Sequence, residues 1–313
     1  MLSRIADSLY WLDRYMERTD AILLSLRTEY VLSLDAGPRN RHSWRPILEQ
    51  FGSLEQKDAD GIVFDGTATL RHIITDQGNV NSLRSLLGKA RENARGAQDQ
   101  ITKEVWENVN HIYHAVNDPK VEKRLSGQHV LPLLDGMTEM VTLYKGVTAG
   151  TMPRGMGWSF MNIGMQTERC MNTLDIGNRY FKEVGYDMND AKDILYWRQM
   201  LLSLSGYELH LKTYRDSNHT RNVADQVFFN RNFTRSIHYN LDKIGLYLTA
   251  VTESNDPPEK EQLLRCFGRL HSRVRYGDLA QVEQTGMDLF IRGIRQELTG
   301  FTQSLAHVFF SYA

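Results

Sequence analysis

Proline and cysteine are both scarce, with 7 prolines and 2 cysteines in 313 residues. An interior proline removes a helix hydrogen bond and clashes with the preceding turn, so their rarity leaves room for long helices. Two cysteines cannot build a disulfide scaffold, and Cys170 and Cys266 read as buried thiols in a reducing compartment. Net charge is missing too: 37 basic residues face 38 acidic ones, a formal balance of -1. No global basic field exists to recruit nucleic acid or an anionic membrane. No run of about 18 apolar residues occurs, so no membrane span is expected. Arg4, Asp7, Asp13 and Arg14 interrupt the N-terminus, which is expected not to be a secretory signal, and a cytoplasmic location follows. No alternating strand pattern extends beyond a few residues.

What remains is an ordinary globular mixture, 41% apolar and 24% charged. It predicts an all-α, multi-helix bundle, a single helical domain over residues 1–313 with two related halves at approximately 1–150 and 151–313. The first helix is expected from Ser3, as N-cap, to about Leu34. Ile5, Leu9, Leu12, Met16, Thr19, Leu23, Leu26 and Tyr30 recur in steps of four and three and form its seam. Trp11, Tyr15 and Ile22 flank one side, Tyr10, Ala21 and Leu24 the other, which marks a central helix. Asp35 to Arg41 reads as a loop. Helices follow over Ser43–Phe51, Thr67–Asp76 and one long stretch, Val80–Ala115, with Asn117–Gln128 as a linker. Leu133–Val147, Trp158–Phe181, Asp190–Tyr214, Thr234–Thr252, Glu259–Arg273 and Asp278–Phe310 complete the set. Gly146–Gly157 reads as a glycine-rich connector. Gly286, Gly293 and Gly300 recur at heptad spacing in the last helix, and close backbone approach to a neighbour is expected there.

The segment around Trp158 repeats the first helix at a fixed offset. Leu9, Leu12, Met16, Thr19, Leu23 and Tyr30 correspond to Phe160, Ile163, Thr167, Cys170, Leu174 and Phe181, and Glu17-Arg18 corresponds to Glu168-Arg169. The same dipeptide at the same phase beside the same seam points to an internal duplication.

These motifs resemble the bacterial alpha-E family of helical domains, which carry a Glu-Arg motif. The resemblance rests on MLSRIADSLYWLDRYMERTD at the start, LGKARENARGAQDQIT at Leu87–Thr102, GWSFMNIGMQTER at Gly157–Arg169 and FxRSI at Phe233–Ile237, and it covers nearly the whole chain. It implies partners, because members are typically encoded beside, or fused to, a circularly permuted ATP-grasp ligase and a transglutaminase-like cysteine peptidase. A role in an ATP-grasp peptide-ligating or peptide-modifying system follows from that resemblance alone. The chain departs from the family pattern at Asn162, Gly164 and Met165, where relatives more often carry further arginines.

Adjacent helix residues point about 100° apart, so Glu17 and Arg18 cannot face each other. Arg14, one turn earlier, can neutralise Glu17. Glu168 has Arg198 and Arg235 as candidate partners from following helices, or the two repeats can serve each other, Glu17 with Arg169 and Glu168 with Arg18. Two readings stay open: a structural ion-pair network, or a polar ligand site in which Glu17 or Glu168 is the catalytic candidate. Arg84, Arg91, Arg95 and Gln98 form one stripe on the long second helix, beside Glu92 and Asn93. Arginine forks suit carboxylates and phosphates, so a peptide carboxylate or acidic ligand fits the stripe; a solvated face with intrahelical pairs is the alternative. Arg14, Arg18, Arg84, Arg91, Glu92, Asn93, Arg95, Arg169 and Arg235 are therefore the candidate anion- or ligand-binding residues. Glu107, His111 and His114 share a helical face but lack the complementary Glu-x-x-His pairs of a bundle metal site, so no metal and no cofactor is expected. No Walker loop or serine nucleophile elbow is present. Two functions follow: a helical binding or adaptor component of the ATP-grasp system, or an enzyme acting on a peptide or acidic small molecule.

Overall fold

The computed structural model describes residues 1–35, 41–253 and 258–310. These form 16 α-helices and no strand. They divide into two compact units, Trp11–Pro153 and Met1–Tyr10 with Arg154–Ala313.

Helix α1 (Ser3–Asp35) runs its first turns in the second of these units and the remainder in the first. Its expected seam from Ile5 to Leu26 is buried throughout, and Tyr10, Ala21 and Ile22 are buried beside it. Ser3 is inside the helix, not its cap: the Leu2 carbonyl accepts from Ile5 N and Ala6 N at 3.0 and 3.1 Å. The loop expected at Asp35–Arg41 lies, for 36–40, outside the described residues.

Three short helices follow, α2 (Arg45–Phe51), α3 (Gln56–Ile62) and α4 (Gly66–Ile74), the second of which the sequence pattern did not mark. The single helix expected over Val80–Ala115 is two, α5 (Leu83–Gly96) and α6 (Lys103–Asn117), separated by a 3₁₀ turn at Gln98–Gln100. Gly96 closes the first, and the Thr102 side chain accepts from Val105 N to cap the second. The apolar period runs across the break, since Leu83 through Ile101 stay buried at every seam position, and so it hides the interruption. The expected linker contains a short helix, α7 (Lys120–Lys123). Helix α8 (Val130–Thr151) continues through Gly146 and Gly150, so the glycine-rich connector shrinks to the residues just after Met152. Helices α5 and α8 both pack on α6.

In the other unit α9 (Met156–Glu183) is the core helix, with Phe160, Ile163, Cys170, Leu174 and Phe181 buried. The helix expected over Asp190–Tyr214 breaks into α10 (Ile194–Ser203) and α11 (Tyr207–Thr213), where Ser205 adopts a positive φ of 53°. Helix α12 (His219–Phe228) lies where the sequence pattern predicts none. Helix α13 (Ile237–Thr252) packs along α9, and α14 (Pro258–Arg275) packs on α16 (Met287–Phe309). The expected last helix is interrupted: α15 (Leu279–Thr285) ends at Gly286, whose φ of 92° suits glycine alone. Of the three spaced glycines, only Gly293 meets a neighbour, the Arg273 guanidinium, and Gly300 faces open space. The close backbone approach occurs elsewhere. A Cβ at Gly164 would lie 2.2 Å from the Tyr10 carbonyl oxygen, so α1 and α9 cross there in contact.

Candidate functional site

Asp13, Glu17 and Asp20 lie at i, i+4 and i+7 on α1 and share one face. All three are buried, Glu17 with no exposed surface. Helix α8 supplies their partners within the same unit. Tyr144 donates its hydroxyl to Asp13 at 2.5 Å, and Lys145 Nζ lies 3.1 Å from Glu17 and 2.7 Å from Asp20. Burial, and then the Asp13 carboxylate, push the Tyr144 phenol well above its usual range, which keeps it a donor. Arg14 rests over the Trp11 ring, 4.5 Å from its centroid, and Arg18 donates to Asn81 at 3.2 Å. Lys145, just before the glycine-rich connector expected at Gly146–Gly157, is thus a cation that reaches the first Glu-Arg motif.

The second Glu-Arg dipeptide stands in the other unit. Glu168 is buried. Arg169 donates to the Thr234 carbonyl at 3.5 Å, and Thr173 donates to the Arg235 carbonyl at 2.9 Å. The stretch ahead of Arg235 is held by Asn230, whose side-chain oxygen accepts from Asn232 N and Phe233 N, and by Ser236, which caps α13. Arg235 itself is buried at that cap. Cys170 is buried beside the motif, and burial raises its thiol far out of the reactive range despite the opposing pull of Arg169. Cys266 is only half-buried, a correction to the expectation of two sealed thiols, and both cysteines are free.

The arginine stripe on α5 is largely engaged with its own unit. Arg84 donates to the carbonyls of Thr75 at 3.1 Å and Val116 at 3.4 Å. Those carbonyls end α4 and α6, so one guanidinium satisfies groups that the helix ladder leaves without donors. Arg91 donates to Asn110 at 2.7 Å and lies 4.9 Å from the Tyr113 centroid, which ties α5 to α6. Arg95 pairs with Glu92 on the exposed face. Beside these residues a cavity of about 520 Å³ opens, walled by Tyr15, Arg84, Lys89, Glu92, Asn93 and Tyr113. A second cavity of about 530 Å³ shares Arg84 and Gln77 with it. Among the described residues no group of three or more His, Cys, Asp and Glu is placed to hold a metal ion. Glu107, His111 and His114 are exposed. No helix of the described residues is long and apolar enough to cross a membrane.

A family model named Alpha-E, described as "A predicted alpha-helical domain with a conserved ER motif", matches residues 1–310. Two curated relatives, an uncharacterized protein of Mycobacterium bovis and another of Mycobacterium tuberculosis, are each 20% identical over 324 aligned positions. Each match takes in 97% of this chain but only 36% of the relative. No solved structure matches.

Proposed function

For this chain, which belongs to the Alpha-E family, we propose the role of a cytoplasmic binding and adaptor component in an ATP-grasp peptide-ligating or peptide-modifying system. The observation that carries the reading is the burial of both motif glutamates, Glu17 at 0% and Glu168 at 2% exposure. A general base must come within about 3 Å of a substrate proton. A carboxylate sealed in the core and bridged to Lys145 is instead a structural ion pair, of the kind that fixes orientation more than it adds net stability.

Ligand contact is then assigned to the cavity on α5. Arg84, Glu92 and Asn93 stand on its wall with Lys89, and the Tyr15 and Tyr113 rings supply apolar area. That mixture of cation, amides and aromatic faces suits a peptide segment with an acidic group. The length of the relatives supports a component role, since nearly two thirds of each lies outside the matched region. The two Glu-Arg dipeptides are read as copies of one ancestral motif.

The test is reconstitution with an ATP-grasp protein encoded in the same gene neighbourhood. The two proteins are expected to co-purify, and peptide-dependent ATP turnover is expected to require this chain. Full turnover without it would overturn the proposal.

A further inference from the structure

A cavity of about 750 Å³ belongs to neither motif nor stripe. It lies in the unit Trp11–Pro153, and the start of α4 forms one wall. Asp65 caps that helix, its side chain accepting from Ala68 N at 2.9 Å and its carbonyl from Thr69 N at 2.9 Å. The N–H groups of Gly66 and Thr67 take no acceptor among the described residues. Helix N-termini with open amides attract anions.

A second feature points to the same ligand independently. Trp44 is 3% exposed and lines the cavity, yet its indole N–H finds no hydrogen-bond partner among the described residues. Buried tryptophan N–H groups usually have one. The indole nitrogen is close to the first turn of α4. It stands against Gly66: a Cβ there would lie 3.0 Å from Nε1, so glycine leaves the indole nitrogen and the first turn of α4 side by side. Arg41, on the cavity wall, forms no ion pair among the described residues. Of the two acids on the wall, Asp60 pairs with Arg45 at 2.6 Å and Asp65 is held as the cap of α4 by Ala68 N at 2.9 Å. Phe64, 56% exposed, adds an apolar rim.

We infer that this cavity binds a small molecule or chain end bearing an oxyanion, held by the Trp44 indole N–H, the opening amides of α4 and Arg41, with its apolar part against Phe64. Carboxylate and phosphate share that chemistry, and the cavity volume exceeds what an inorganic ion fills. The inference is independent of the adaptor reading.

The test follows the indole N–H signals of the full chain by proton–nitrogen NMR. The chain has 5 tryptophans, and W44F assigns the relevant signal. Inorganic phosphate, N-acetylphenylalanine and the uncharged N-acetylphenylalanine amide are titrated separately. Phosphate or the carboxylate is expected to shift the Trp44 signal saturably while the amide leaves it in place, and whichever anion binds more tightly identifies the head group. R41A, a change at an exposed side chain, is expected to weaken that binding about tenfold, as loss of a charge-assisted contact does. A Trp44 signal that neither anion moves, or that the amide moves equally, overturns the inference. Undiminished binding in a folded R41A would remove Arg41 from the site.

Discussion

The Lys145 ammonium lies 3.1 Å from the Glu17 carboxylate, and that carboxylate has no exposed surface. The same ammonium reaches Asp20 at 2.7 Å, so it serves two buried acids on one face of α1. Removing it would take a cation from two buried acids. K145M is expected to lower the unfolding free energy by about 3 kcal/mol, the lower end for a broken buried pair because the lysine head reaches solvent. Urea denaturation measures this, and a change under about 0.5 kcal/mol would show that Lys145 is an ordinary surface side chain.

The glycines of the two units should respond in opposite directions. G164A forces a Cβ to within 2.2 Å of the Tyr10 carbonyl oxygen and is expected to cost at least about 1–3 kcal/mol by overpacking. G146A, in the interior of α8 with nothing within 4 Å of its Cβ, is expected to add up to about 1 kcal/mol. Thermal unfolding of the two variants separates them. Stabilisation by G164A would mean that α1 and α9 do not cross in contact.

The arginines of the α5 stripe should be unequal. R91A loses the bond to Asn110 and the stacking on Tyr113, an expected loss of about 1–3 kcal/mol. R95Q breaks only an exposed pair with Glu92 and is expected to stay within about 0.5 kcal/mol of the parent. Equal effects in chemical denaturation would contradict the assignment of Arg91 as the α5–α6 clamp.

Two buried histidines set an acid limit. Burial lowers both His210 and His238 below the usual histidine range. The unfolded chain then takes up protons before the folded one, so these groups leave stability unchanged above about pH 6.5 and erode it as pH falls below. The slope for each histidine is bounded by about 1.4 kcal/mol per pH unit, the difference of one whole proton. Unfolding free energies measured from pH 7.5 to 5.5 check this. H210Q, whatever its starting stability, is expected to show the shallower slope, and an unchanged slope would remove His210 from the account.

The sequence disclosed the α1 and α9 seams because a long amphipathic helix repeats its apolar residues many times. It placed both Glu-Arg dipeptides on these helices because each keeps phase with its seam. It did not single out Lys145, because the Gly146 and Gly150 that follow it resemble a connector, whereas α8 runs through both, packed on α6. The α5–α6 break leaves no mark on the apolar period, which continues through the 3₁₀ turn. Arg84 had the signature of an anion ligand, but the nearest groups needing donors are two helix-end carbonyls, distant in sequence. The cavity at Trp44 left no sequence signal at all, since its walls come from segments between Tyr30 and Gly127 that share no pattern.

The central claim is that the motif glutamate is structural and the chain binds but does not catalyse. E17Q keeps the shape and removes the charge, so the deciding measurement is peptide-dependent ATP turnover by the reconstituted ATP-grasp system with parent chain or with E17Q, each first shown to be folded. The account expects equal turnover at saturating protein. Turnover abolished by E17Q in a folded chain that still binds the ligase would contradict it and make Glu17 a catalytic group.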